Sequence, residues 1–234
     1  MKALKLTLAA LVLSAIGFQA NAAVVTECGT NVCFTYDNST LYGAGTVVGN
    51  NIFFQNIDNF EASSTDGTGS EIVTDTVDIT IEAFTPNYDM TQFLLVEQGD
   101  YLINGDGASV TAGARMDITS LDNTCPVGIF DFICTDHDTV DAGALTAQGV
   151  TTDWDLIAQV DLADTTGWGS DTRVVMKLQN TLTASTTETG ETAFIQKKLG
   201  GVGIQVVPVP AAVWLFGSAL VGLGAWTRRR KLVA

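Results

Sequence analysis

Polar and apolar positions alternate strictly along several stretches of this chain. Val77, Ile79, Ile81 and Ala83 are interleaved with Thr76, Asp78, Thr80 and Glu82. Trp154, Leu156, Ala158, Val160 and Leu162 alternate with Asp155, Gln159 and Asp161. Val174, Met176, Leu178 and Leu182 are set against Val175, Lys177 and Gln179. A period of two sends successive side chains to opposite faces of a β-strand, so each run predicts a strand with one buried face. Further strands are predicted over residues 32–36, 51–55, 92–103, 109–118 and 194–206. Asp66-Gly67, Asn104-Gly105-Asp106-Gly107 and Gly200-Gly201 carry turn chemistry between them. Residues 63–70 read as a polar loop and 183–192 as a hairpin loop. Threonine is abundant and helix signals are scarce; only 140–150 suits a short helix. Strands spaced in this way predict an all-β domain over residues 23–206, a β-sandwich or jelly-roll-like fold, with a barrel as the alternative.

The two ends follow different rules. Lys2 and Lys5 precede an apolar run from Leu6 to Phe18, and small residues stand at Ala20 and Ala22. That is the pattern of a secretory signal peptide over residues 1–22, cleaved after Ala22. At the other end, Ala211 to Trp226 is a 16-residue stretch without charge. As a helix it rises ~24 Å, which spans most of a ~30 Å hydrocarbon core, and Thr227 extends it. Trp214 and Trp226 stand near its two ends, where indole favours the interface. Arg228, Arg229, Arg230 and Lys231 follow at once. These charges predict a cytoplasmic tail at 228–231 and an external domain, the topology that the signal peptide also demands.

The residues of this end resemble a known family. Val207-Pro208-Val209-Pro210-Ala211-Ala212-Val213-Trp214-Leu215-Phe216-Gly217-Ser218 and the Arg run are similar to the sorting signal of PEP-CTERM proteins. Val209 stands where the glutamate of the name motif would be. The resemblance covers residues 207–234. It implies recognition by an exosortase, a membrane-embedded cysteine protease, in a bacterium that makes extracellular polysaccharide. The paired prolines interrupt helix before the membrane segment, and extended backbone suits a protease.

Charge narrows the choice of partners. All 26 acidic residues lie in 23–206, against five basic ones, a net charge of −21. Such a surface repels nucleic acid and anionic lipid. The four cysteines are also in this domain, and an even number in an exported chain predicts disulfides. Three connectivities exist; the local pairs Cys28–Cys33 and Cys125–Cys134 need the least loop closure. Neither pair has the Cys-x-x-Cys spacing of a zinc site.

Candidate chemistry is sparse. His137 is the single histidine, and no nucleophile motif accompanies it, so an enzyme is not expected. Asp131, Asp136, Asp138 and Asp141 crowd one segment, and Asn104 and Asp106 another, offering the oxygen ligands that calcium requires. Neither matches an EF-hand loop. Trp168, flanked by Gly167 and Gly169, is the candidate aromatic for a sugar ligand, with Tyr42, Tyr88 and Tyr101 behind it. The sequence therefore points first to a structural protein of the envelope or matrix. A carbohydrate-binding module, calcium-dependent or not, is the alternative.

Overall fold

A computed structural model describes residues 23–55, 57, 59–86, 88–122, 135–162 and 171–205. These form twelve β-strands. β1 is Val24–Cys28, β2 Val32–Asp37, β3 Gly45–Val48, β4 Asn51–Phe54, β5 Glu61–Thr65 and β6 Gly69–Ala83. β7 is Gln92–Asn104, β8 Ser109–Ser120, β9 Thr135–Asp141, β10 Thr152–Asp161, β11 Arg173–Thr186 and β12 Thr192–Gln205.

The strands build two antiparallel sheets. One has the order β1-β2-β6-β11-β8-β9. The other has the order β10-β7-β12-β4-β3, and β5 also pairs with β12. β4 and β5 share one edge of β12: β5 lies along 192–196 and β4 along 200–203. From β5 onward the chain changes sheet at almost every connection, so β6, β8 and β11 face β7, β10 and β12.

The inward positions of both sheets merge into one hydrophobic cluster. The alternating runs supply it as their spacing predicts: Trp154, Leu156, Ala158, Val160 and Leu162 are all buried. Val77, Ile79 and Ile81 on β6 are buried against Val174, Met176 and Leu178 of β11 in the same sheet. At one end Phe54 makes edge-to-face contacts with Tyr36 and Tyr42, each at 5.4 Å between ring centroids. Such pairs add to the area that the rings bury.

Three local expectations are corrected. Gly200-Gly201 is not a turn but lies inside β12. A Cβ at Gly200 would stand 3.3 Å from Cε of Lys197, and one at Gly201 3.1 Å from the Phe53 ring. These glycines make room for side chains rather than reverse the chain. The 140–150 segment contains no helix: β9 runs to Asp141, and the following coil touches β7 through an Ile103–Gln148 bridge. The 63–70 loop is a tight turn from one sheet to the other, with β5 and β6 joined through Asp66 and Gly67, both at positive φ. Similarly, only residues 187–191 separate β11 from β12.

Candidate functional site

Cys28 and Cys33 form a disulfide across the β1–β2 hairpin, with Cα atoms 3.9 Å apart. Gly29 N–H donates to Val32 O at 2.8 Å, so the cysteines occupy the next pair, where facing side chains are closest. Cys125, Cys134, Asp131 and Trp168 lie outside the described residues. So do residues 1–22 and the sorting-signal positions Val207, Pro208, Val209, Pro210, Trp214, Arg228, Arg229 and Arg230. Among the described residues no helix is long and apolar enough to cross a membrane.

The calcium candidates separate into two places. Asp136, Asp138 and Asp141 sit on β9, a strand rather than a loop. The alternation turns Asp136 and Asp138 to one face and Asp141 to the other. Asp138 accepts the Gln159 N–H at 2.9 Å, and Asp141 accepts the Gly143 N–H at 2.8 Å in an Asx turn. Asn104 and Asp106 belong to the β7–β8 turn, whose neighbour is the Glu191 carboxylate. Glu191 accepts N–H groups from Gly107 at 2.5 Å, Thr187 at 2.8 Å and Glu188 at 2.9 Å. The N–H groups of Glu188 and Thr187 hold its carboxyl below the ordinary range. This carboxylate therefore knots the β7–β8 turn to the β11–β12 turn. Among the described residues no group of three or more His, Cys, Asp or Glu side chains is placed to hold a metal ion.

The tyrosine candidates anchor loops. Tyr42 is fully buried. Tyr101 is buried, and its hydroxyl accepts the Ala147 N–H at 3.0 Å. Tyr88 is half-buried, and its hydroxyl accepts from Asn50 Nδ2 at 2.5 Å. A cleft of about 270 Å³ opens beside β10, lined in part by Gln98, Asp153, Asp155 and Lys198. Trp154 forms its floor, with the indole N–H donating to Gln196 O at 3.2 Å. Gly99 seats that ring: a Cβ there would stand 2.0 Å from Gln196 O and 2.7 Å from the indole.

The most unusual group is at the centre of the sandwich. Lys197 of β12, Glu97 of β7 and Asn180 of β11 are all buried, and the Lys197 and Glu97 side chains have no exposure. Lys197 Nζ lies 2.5 Å from Glu97 Oε1 and donates to Asn180 Oδ1 at 2.8 Å. Asn180 Nδ2 donates to Glu97 Oε2 at 2.5 Å. The Tyr42 hydroxyl donates to the same Asn180 Oδ1. Nζ also lies 4.4 Å from the centroid of the Tyr42 ring and 5.5 Å from that of Phe60. The three polar side chains thus close a ring that joins the two sheets.

Local backbone explains the placement. Register slips between Lys197 and Leu199, so Lys198 is an extra residue in β12. Plain alternation turns Lys197 inward after Ala193 and Ile195, Lys198 turns out to pair with Asp100, and the bulge shifts the phase so that Gly200 and Val202 are the next inward positions. Burial pushes the Glu97 carboxyl up, against the opposing Lys197 charge. Burial pushes the Lys197 amine down, against the opposing Glu97 charge. Both shifts run toward the uncharged forms. Burial also raises the Tyr42 phenol well above its ordinary value, with Glu97 and Asp75 adding to it, so this hydroxyl keeps its proton as a donor.

The sequence reading missed this cluster, although its signal was present. Glu97 continues the inward phase of Phe93 and Leu95, and Asn180 falls between Leu178 and Leu182. A polar residue in phase with a buried face needs a partner across the core.

Fold and cluster define an all-β sandwich domain whose sheets are bridged by buried polar side chains. No protein-family model and no curated protein matches the chain. Among solved structures it is similar to the infectious bursal disease virus Gt strain, with a TM-score of 0.40 and 13% identity over 69% of this chain and 33% of that one. The VP2 subviral particle of the same virus gives a TM-score of 0.30 and 10% identity, over 82% of this chain and 46% of that one. TmCBM61 in complex with beta-1,4-galactotriose gives a TM-score of 0.21 and 6% identity, over 62% of this chain and 88% of that one. The chain thus spans between a third and a half of the viral chains it matches. Likeness at these scores carries no argument about what this chain binds or does.

Proposed function

We propose that this chain is an exported structural protein of the cell envelope or extracellular matrix. Its jelly-roll-like sandwich is displayed outside the membrane, anchored by the C-terminal helix until an exosortase-type protease processes it. The observation that carries this reading is the Cys28–Cys33 disulfide. Disulfides persist in oxidising compartments outside the cytoplasm, where a signal peptide over 1–22 would deliver the domain. The acidic composition adds support, since a strongly charged domain stays soluble at the density of a matrix. The resemblance of residues 207–234 to PEP-CTERM tails supplies the sorting step.

The test is to express the full chain in a host with an active exosortase, fractionate the cells and map both termini by mass spectrometry. The expected product lies outside the cytoplasm, lacks residues 1–22 and ends close to Pro208–Pro210. Cytoplasmic protein that keeps Met1 would overturn export, and an intact C-terminus in such a host would overturn sorting.

The cleft beside β10 favours a second reading, a carbohydrate-binding module. Carboxylates, an amide and an ammonium at one cleft are groups that bind sugar hydroxyls. Binding of the purified chain to extracellular polysaccharide, with and without calcium, measures it. Loss of binding on changing Asp153 and Asp155 to Asn would assign the cleft.

A further inference from the structure

The ring of Lys197, Asn180 and Glu97 holds a primary amine against a carboxamide, with a carboxyl group bridging both nitrogens. Glu97 Oε1 faces Nζ and Oε2 faces Nδ2, each at 2.5 Å. Lys197 Nζ is 2.8 Å from Asn180 Oδ1, so the amine lies against the carbonyl that it would attack. The Tyr42 hydroxyl also donates to that oxygen. The site is dry, since neither Lys197 nor Glu97 exposes any side-chain surface. This arrangement has the parts of an acyl-transfer site: nucleophile, proton carrier, oxyanion donor and leaving group.

We propose that Lys197 and Asn180 react with each other to form an intramolecular isopeptide bond, with Glu97 as the catalytic proton carrier. The bond would join Nζ of Lys197 on β12 to Cγ of Asn180 on β11, tying one sheet covalently to the other. The steps balance without an added reagent. Lys197 first gives one proton to Glu97, leaving a neutral amine. Its lone pair attacks Cγ, and the carbonyl electrons move to Oδ1, where the Tyr42 hydroxyl stabilises them. Glu97 passes its proton to Nδ2. The Cγ–Nδ2 bond breaks, ammonia leaves and the carbonyl re-forms. Glu97 then takes the second proton from Nζ. An amine and a primary amide become a secondary amide and ammonia, with no change of oxidation state.

Several features favour the reaction over a static ion pair. Burial favours the uncharged amine, which is the nucleophilic form. The fold supplies proximity: three strands from two sheets fix the three groups, and the alternation of β12 aims the lysine inward. Water, the competing nucleophile, is excluded by the Tyr42 and Phe60 rings over the amine. The inference is independent of export, since it needs only the folded sandwich.

Tryptic mapping of the full-length protein decides the matter. Trypsin cuts after Lys177, and next after Lys197 or Lys198. The bond would block cleavage after Lys197 and yield the fragment 178–198 lighter by one ammonia, about 17 Da, because the amine displaces the amide nitrogen. Fragmentation of that peptide should give no backbone ions within 180–197, which would form a closed ring. An unshifted mass, with or without cleavage after Lys197, overturns the proposal. So does the same mass loss with Lys197 still cleavable, because that marks a succinimide at Asn180. The Glu97→Gln variant keeps both reacting groups and should return the fragment to its ordinary mass. A folded Glu97→Gln protein that still loses ammonia overturns the role of Glu97. The wild-type result stands whether or not that variant folds.

Discussion

Removing the Cys28–Cys33 disulfide should loosen one edge of the sandwich while leaving its centre intact. Among the described strands β1 pairs with β2 and no other, over five residues, and none of its side chains is buried. Only Val25 packs partly against the core. The strand is therefore held by a short ladder and one covalent link. The cysteines are separated by 5 in sequence. Closing so small a loop in the unfolded chain gives about 2 kcal/mol in the chain-entropy model. That corresponds to about 30-fold in an opening equilibrium. The experiment is the Cys28→Ala/Cys33→Ala double variant, followed by native-state hydrogen exchange. Amides of 24–28 should lose about 30-fold in protection. Amides of β6 and β11, in the middle of the same sheet, should keep theirs. If the 24–28 amides stay protected in the variant, the ladder alone holds β1 and the reasoning is wrong. If β6 and β11 lose protection equally, the hairpin is part of the global cooperative unit rather than an edge.

Gly99→Ala should destabilise the domain by about 1–3 kcal/mol or more, because the new Cβ overlaps the Gln196 carbonyl and the Trp154 indole; a denaturant midpoint equal to wild type would show that the ring can shift freely. Glu191 has a folded pKa below its ordinary value of 4.5, so its contribution is present above that pH and fades as pH falls through the folded pKa. Glu191→Gln should flatten the loss of stability below about pH 4.5 that wild type shows on acid titration, and parallel curves would rule out the carboxylate knot.

The legible part of the fold was the part where burial is one-sided. The runs at 77–83, 154–162 and 174–182 expose one face and bury the other, so period two appears directly in the letters. β9 was invisible for the complementary reason. Thr135–Asp141 has no fully buried residue and a single apolar one, Val140, so no alternation marks its phase among the aspartates. The Gly200-Gly201 pair misled because glycine has two uses. It permits a turn, and it also leaves space where another side chain crosses, here the Lys197 stem and the Phe53 ring. Only tertiary contacts distinguish the two.

The central cluster shows the same limit from the other side. Each of its members is an exception inside a run that otherwise reads as core, and each exception taken singly looks like noise. Glu97 follows Leu95, Asn180 follows Leu178 and Lys197 follows Ile195, all in phase with buried neighbours. An isolated carboxylate or ammonium there would be strongly unfavourable, and removing one member of a buried pair typically costs about 3–5 kcal/mol. Three such exceptions in three strands are tolerable only if the strands bring them together. Two of those strands lie in one sheet and the third in the other, so the exceptions jointly specify which strands face each other across the core. A hydrophobic face accepts many neighbours, whereas the acceptors that Lys197 meets among the described residues are those of Glu97 and Asn180. The polar phase errors therefore carry more information about the pairing of the sheets than the apolar runs around them.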